Sequence, residues 1–98
     1  MRILSRSTLS TFWNRPNHKD SEAALRAWFD EAKNADWSCP QDIKTDYRSA
    51  SFVGDRVVFN IAGNKYRLVV YINYPYRIVY IRFIGTHKDY DQINVKDV

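Results

Sequence analysis

Ninety-eight residues with 15 Lys+Arg against 11 Asp+Glu give a net charge of +4 and a chain of one domain's length. A hydrophobic fraction of 45% with three Trp argues for a folded globule and against a disordered chain. Cys39 is alone, which excludes an intrachain disulfide and a thiolate metal site, and the modest basic excess favours a polyanion or an acidic protein as partner without choosing between them.

The opening residues 1–13 contain too little continuous apolar sequence for a signal peptide, and no run approaches a membrane span. The expectation is a cytoplasmic protein with no membrane contact. Arg2, Ile3 and Leu4 form a candidate edge strand. From Ser5 or Ser7 the spacing predicts a helix, since Leu9, Phe12 and Trp13 recur at three and four, and Pro16 with Asn17 ends it. A second helix is predicted over 20–33. Its Ala24, Leu25, Trp28, Phe29 and Ala32 form one stripe, while Glu22, Arg26, Asp30 and Lys33 face away. Pro40 suits the first turn of a short third helix through Tyr47, with Asp42 in that turn. The three Trp read as core or rim residues.

Residues 48–52 link into the sheet, and Gly54 with Asp55 marks a turn. Three runs rich in Val, Ile, Tyr and Phe follow, over 57–62, 65–74 and 76–84. Gly63 and Asn64 fill the first break and Pro75 sits at the second, so the simplest reading is a three-stranded antiparallel meander. Tight turns place Asn60 opposite Arg67, Asn73 opposite Ile78, Val69 opposite Arg82 and Arg67 opposite Ile84. One face then carries Val57, Phe59, Ile61, Tyr66, Leu68, Val70, Ile72, Val79, Ile81 and Phe83, and needs a cover of helices. The other carries Asn60, Lys65, Arg67, Tyr71, Asn73, Tyr80 and Arg82, with Val58, Val69, Ile78 and Ile84 among them. Residues 87–93 suit one or two helical turns, and the last four are expected to fray. Helices packed on the apolar face give a two-layer α+β domain.

On the second face Arg67 and Arg82 fall as diagonal neighbours, roughly 7–8 Å apart by ordinary strand spacing. No acid on the same strand face compensates them, so an anion is the natural partner. His87 follows the last strand, and Tyr90 three residues later shares its side of a helical turn. A lone arginine on a strand is ordinary surface; the pair beside His87 is what gives the site weight. His18 lies in a polar loop without a helper and reads as solvated. A metal site is not supported, because Asp89 and Asp91 beside one histidine offer too few ligands. Gly54, Gly63 and Gly85 are isolated turn glycines and make no phosphate loop. Nor does a strained nucleophile turn support a Ser–His–Asp arrangement.

A metal-free, cofactor-free basic site of Arg67, Arg82, His87 and Tyr90 remains. Such a set suits attack by a ribose 2′-OH on its own 3′ phosphate, with His87 or Tyr90 moving protons and the arginines stabilising the pentacoordinate state. The need for a 2′-OH would itself restrict the substrate to RNA. Tyr71 and Tyr80 could stack bases, although aromatics also fill ordinary sheet surface.

Two motifs carry a resemblance. One runs from Val58, Phe59, Asn60 and Ile61 to Gly63, Asn64, Lys65, Tyr66, Arg67 and Leu68. The other runs through Val79, Tyr80, Ile81, Arg82, Phe83, Ile84, Gly85, Thr86, His87, Lys88, Asp89, Tyr90 and Asp91. Together they closely resemble the HigB-type toxins of bacterial type II toxin–antitoxin modules, within the RelE/ParE-like group, and the likeness extends over nearly the whole chain. The resemblance implies a RelE-like domain that is an endoribonuclease, an mRNA interferase cutting messages in the ribosomal A site. It implies metal-independent cleavage by the RNA's own 2′-OH. It also implies neutralisation by a cognate antitoxin, which in such modules often represses the shared operon and so brings operator DNA into contact with the pair. On the matching positions His87 becomes general acid or base, Arg67 and Arg82 phosphate ligands, Tyr90 an orienting or proton-transferring group, and Lys65 and Lys88 lesser phosphate contacts. No glutamate stands among the sheet residues, so a glutamate base is not expected. The other readings are a ParE-like toxin inhibiting DNA gyrase and a non-catalytic RNA- or ribosome-binding domain.

Overall fold

Alternation of apolar side chains builds the centre of the sheet, and two three-residue strands are added at its margins. In the computed structural model, which describes residues 1–98, the strands are β1 (Arg2–Leu4), β2 (Ser51–Val53), β3 (Arg56–Ile61), β4 (Tyr66–Asn73) and β5 (Ile78–Thr86). They lie in the order β1-β5-β4-β3-β2. The meander expected from the sequence is therefore the middle of a five-stranded sheet. Its β1 edge is parallel to β5 while every other pairing is antiparallel, so the sheet is mixed. Four α-helices accompany it: α1 (Arg6–Trp13), α2 (Glu22–Asn34), α3 (Pro40–Asp46) and the single turn α4 (His87–Tyr90). Short 3-10 turns occupy Pro16–Ser21 and Val95–Asp97.

The N-terminal helices pack on one face of the sheet, the α+β arrangement expected. Leu9, Phe12 and Trp13 of α1 and Leu25, Trp28 and Ala32 of α2 join Phe59, Leu68, Val70 and Val79 in one buried cluster. Each of the larger of these side chains contributes about 1.5–3 kcal/mol by leaving water. All three Trp are buried, and the rings of Trp28 and Trp37 meet Phe59 at centroid distances of 5.4 and 6.2 Å. Trp37 completes its burial by donating its indole N–H to Asp46 Oδ2 at 2.9 Å.

The register agrees with the sequence reading along β3, where Asn60 pairs with Arg67, and at the start of β5, where Asn73 pairs with Ile78. It then departs. A bulge between Val69 and Val70 pairs Val70 with Ile81 but Val69 with Phe83, leaving Arg82 without a partner of its own. Strict alternation had placed Val69 opposite Arg82 and Arg67 opposite Ile84. One extra residue exchanges the faces of everything after it. Ile84 consequently packs against the core, and Phe83, expected inside, lies opposite Val69 on the outer face. Gly85 is likewise not a turn residue. It lies within β5, where a Cβ would stand 2.6 Å from Phe83 Cζ, so the Phe83 ring fills the space that any side chain at position 85 would need.

The outer face is only partly open. The last residues do not fray: Arg56 donates through Nε and Nη2 to the Val98 carbonyl at 2.9 and 2.7 Å, and Lys96 lies against Gly54. The C-terminal segment thus returns to the β2–β3 hairpin. Val58 and Val69 are buried on this outer face although neither belongs to the core cluster. No helix is long and apolar enough to cross a membrane.

Candidate functional site

Three transverse levels can be followed along the outer face, each set by strand pairing. At the first, Asn60 on β3 stands beside Arg67 on β4, which stands beside Gly85 on β5. Arg67 donates through Nη1 to the carbonyls of Asn64 at 2.9 Å and Tyr66 at 3.2 Å, so its guanidinium is steered by backbone alone and meets no carboxylate. Lys65 lies in the turn between β3 and β4, not in the strand as expected. Its carbonyl accepts the His87 N–H at 3.2 Å. That bond ties the turn carrying His87 to the residue two before Arg67.

The turn itself is locally encoded. Thr86 Oγ1 accepts the Asp89 N–H at 3.0 Å and Asp89 Oδ2 accepts the Thr86 N–H at 3.3 Å, a reciprocal capping box that starts α4 directly after β5. It presents His87 and Lys88 exposed and Tyr90 half-buried. His87 Nδ1 stands 3.6 Å from Asp91 Oδ2, one helical turn on, a loose pairing that leaves Nε2 as the other ring nitrogen for a substrate.

The second level holds Val69 and Phe83, and the third holds Arg56, Tyr71 and Tyr80 in register. The Tyr71 and Tyr80 rings lie 6.0 Å apart, tilted by 30°. Arg82, at the bulge, covers both at 6.0 and 5.7 Å, while Arg56 flanks Tyr71 from the other side at 5.5 Å. Arg82 makes no ion pair. The bulge therefore separates Arg67 from Arg82 by the Val69–Phe83 pair, in place of the direct diagonal expected. The fold gathers Asn60, Lys65, Arg67 and His87 at one corner, and Tyr71, Tyr80 and Arg82 one level further along.

One acid reaches the Lys65 turn from an element that strand alternation does not reach. Asp20, in the 3-10 turn before α2, pairs with Lys65 Nζ and accepts the Tyr66 hydroxyl. The Lys65 hydrogen bond, followed by that from Tyr66, holds the Asp20 carboxyl below its ordinary range. Burial, with Asp20 second, pushes Tyr66 up to about 12. His18, expected in solvent, is instead stacked on Phe12 at 4.2 Å and set edge-on to Tyr66 at 5.8 Å. Sequence reasoning missed Arg56 and Phe83. Arg56 was findable, since it stands two residues before Val58 on the same strand face. Phe83 was hidden by the bulge.

Two comparisons bear on this arrangement. The model of the HigB toxin family, described as the RelE-like toxic component of a toxin–antitoxin system, matches residues 21–93. That span includes α2, α3, the strands β2 to β5, and every candidate residue named above. The mRNA interferase HigB of Escherichia coli O6:H1 is 26% identical over 73 residues, covering 71% of each chain. With most of its length matched, the chain belongs to the HigB toxin family of RelE-like toxins.

Proposed function

We propose that this toxin is a metal-independent endoribonuclease that cuts messenger RNA on the translating ribosome, with its 98 residues acting as a single domain. The observation that carries the reading is the 3.2 Å hydrogen bond from the His87 N–H to the Lys65 carbonyl. It brings an imidazole to the corner occupied by Arg67, a guanidinium with no acid partner. The activity named for the Escherichia coli relative, an mRNA interferase, points the same way.

In this reading the scissile phosphate lies against Arg67, with Arg82 reaching it or its neighbour from the bulge. A base, His87 or Tyr90, removes the proton from the ribose 2′-OH, and the 2′ oxygen attacks phosphorus. The arginines balance the charge that accumulates on the equatorial oxygens. The P–O5′ bond breaks, the other group of the His87 and Tyr90 pair protonates the departing 5′ oxygen, and the products are a 2′,3′-cyclic phosphate and a 5′-OH. Lys65 and Lys88 add phosphate contacts, Asn60 a polar one, and Tyr71 and Tyr80 a stacking surface. The partners are messenger RNA, the ribosome at its A site and a cognate antitoxin, with operator DNA reached through the antitoxin, all in the cytoplasm.

Mapping 5′ ends on a message translated by purified ribosomes, in buffer and after chelation of free divalent ions beyond the ribosome's own need, tests the reading. Codon-phased cuts are expected from the native chain and not from His87→Ala or Arg67→Ala. An intact message in every lane, with inhibited DNA supercoiling in a parallel gyrase assay, would replace the nuclease with a gyrase-directed toxin.

A further inference from the structure

β1 pairs only with residues 78–80 of β5. Beyond them the outer edge of β5 has no strand beside it, and α1, which follows β1 directly, runs alongside. The two border an open cleft of about 470 Å³, with Ser7, Thr8 and Thr11 on the helix wall, Arg15 just past the helix end, and Arg82 and Phe83 on the strand wall. The volume falls in the range of about 300–1,000 Å³ usual for small-molecule sites. Helical spacing explains the wall: Leu9, Phe12 and Trp13 turn to the core, so positions 7, 8 and 11 fall on one flanking stripe, and Arg15 joins them from the extended link between α1 and the 3-10 turn.

Neither Arg15 nor Arg82 forms an ion pair; each rests over an aromatic ring, Arg15 over Phe12 at 6.0 Å and Arg82 over Tyr80 at 5.7 Å. Two uncompensated guanidinium groups lining one cavity repel each other until an anion joins them, and their planar forks suit phosphate oxygens. Three hydroxyls beside them can donate to phosphate or accept from ribose, and Phe83 offers a half-exposed ring for a base. The family match begins at residue 21, so the helix wall lies outside the segment this chain shares with the family.

We propose that the α1–β5 cleft is a second nucleotide subsite, which holds the phosphate, ribose and base of the RNA residue one beyond the two joined by the cleaved bond. It rests on the ribonuclease reading, and it shares Arg82 with the site described above. Arg82 then bridges two successive phosphates, and α1 becomes the element that sets which nucleotide is accepted beyond the pair that is cut.

The test is a nuclear magnetic resonance titration of the ¹⁵N-labelled protein with 2′-O-methyl oligonucleotides, which lack the attacking hydroxyl. A dinucleotide spanning only the scissile position is expected to shift amides around Arg67 and Gly85. A tetranucleotide is expected to shift those and also Thr8, Thr11 and Arg15. Arg15→Ala and, independently, Thr11→Glu should weaken the tetranucleotide about tenfold, the scale of one charge-assisted contact, and leave the dinucleotide unchanged. Arg15→Ala should also lower the slope of log Kd against log salt by about 0.7. Shifts confined to the Arg67 corner with both oligonucleotides would overturn the subsite and leave the nuclease reading standing. Shifts at α1 reproduced at equal concentration by inorganic phosphate would reduce the cleft to an anion site and overturn the nucleotide assignment. No shift anywhere at millimolar tetranucleotide would overturn both.

Discussion

At the β2–β3 end of the outer face Arg56 is enclosed. Its side chain is 14% exposed, it donates twice to the Val98 carbonyl, and its third contact is Asp55 Oδ1 at 2.5 Å. At the β4–β5 end Arg67 donates only to two backbone carbonyls of its own turn, and Arg82 rests on tyrosine rings without any acid. All three arginines share one face of one sheet. The difference lies in what already satisfies them. A guanidinium whose donors are spent on a chain terminus holds the fold together, whereas one left facing solvent with unmet donors is available to phosphate. Counting basic residues on the face would treat these arginines alike, and the hydrogen bonds separate them.

The largest effect that would sharpen this contrast is on chemistry. Arg67→Ala and His87→Ala should each lower cleavage of ribosome-bound message by about 10²–10⁴-fold, the usual range for losing a proton-transfer or charge-stabilising group. Both should melt close to the native temperature, as read by circular dichroism, because neither side chain is buried. Arg56→Ala should do the reverse. Loss of hydrogen bonds from a mostly buried charged group costs about 2 kcal/mol, which for a domain of this size lowers Tm by about 10 °C. Cleavage per folded molecule should stay within about twofold of native. If Arg56→Ala instead abolished cleavage at unchanged Tm, the division between a structural and a functional end of the face would be wrong.

The inner face was readable from the sequence because its alternation is enforced by packing: Val57, Phe59, Ile61, Leu68, Val70 and Ile72 all have to meet the helices, and a slip would expose all of them. The helices followed for the same reason, from stripes such as Leu25, Trp28 and Ala32. The outer face had no such enforcement. Nothing in the run Arg82, Phe83, Ile84 marks one residue as surplus, so the bulge and the inversion of Phe83 and Ile84 were invisible. Of the two edge strands, β1 was legible in the apolar run Arg2, Ile3 and Leu4, whereas β2, also three residues long and too short for a period to show, read as a link into the sheet. The residues picked for the site were legible as a set of cations, aromatics and one histidine near a sheet end. Their neighbours were not. Asp20 is 45 positions from Lys65, and Val98 is 42 from Arg56, so their pairings are products of the tertiary fold that no local spacing encodes.

A smaller effect would break the comparison at its pivot. Gly85→Ala adds a methyl where Phe83 Cζ would be 2.6 Å away and Asp89 Cβ 3.2 Å away. The ring has to move, and overpacking of this kind costs about 1–3 kcal/mol. Asp89 belongs to the capping box that orients His87, so cleavage should fall several-fold beyond what lost stability explains, measured at a temperature where the variant is fully folded. A variant that loses stability but keeps native cleavage would show that the Thr86 turn is set by its cap alone.

The smallest effect tests the one cation at the functional corner that does have an acid. Lys65 is tied to Asp20, so Asp20→Asn should release it toward RNA while Arg67 and His87 stay as they are. Affinity for single-stranded RNA should rise about twofold and the salt slope steepen by about 0.7, opposite in sign to the Arg67→Ala change. The pH behaviour gives a second readout. The Asp20 carboxyl is held below its ordinary range by Lys65 and then Tyr66, so its stabilising contribution is present above the unfolded carboxylate pKa and lost as pH falls through the lower folded value. Asp20→Asn should therefore flatten the acid limb of the stability curve. The alkaline limb should persist. Tyr66 is pushed up to about 12 chiefly by burial, so the folded state holds its proton after the unfolded chain has released it near pH 10, and stability falls from about pH 10 to 12 with or without the Asp20 charge. If the Asp20→Asn protein bound RNA no better than native, yet lost its acid limb, Lys65 would serve the fold as Arg56 does, and phosphate binding at this corner would belong to Arg67 and Lys88.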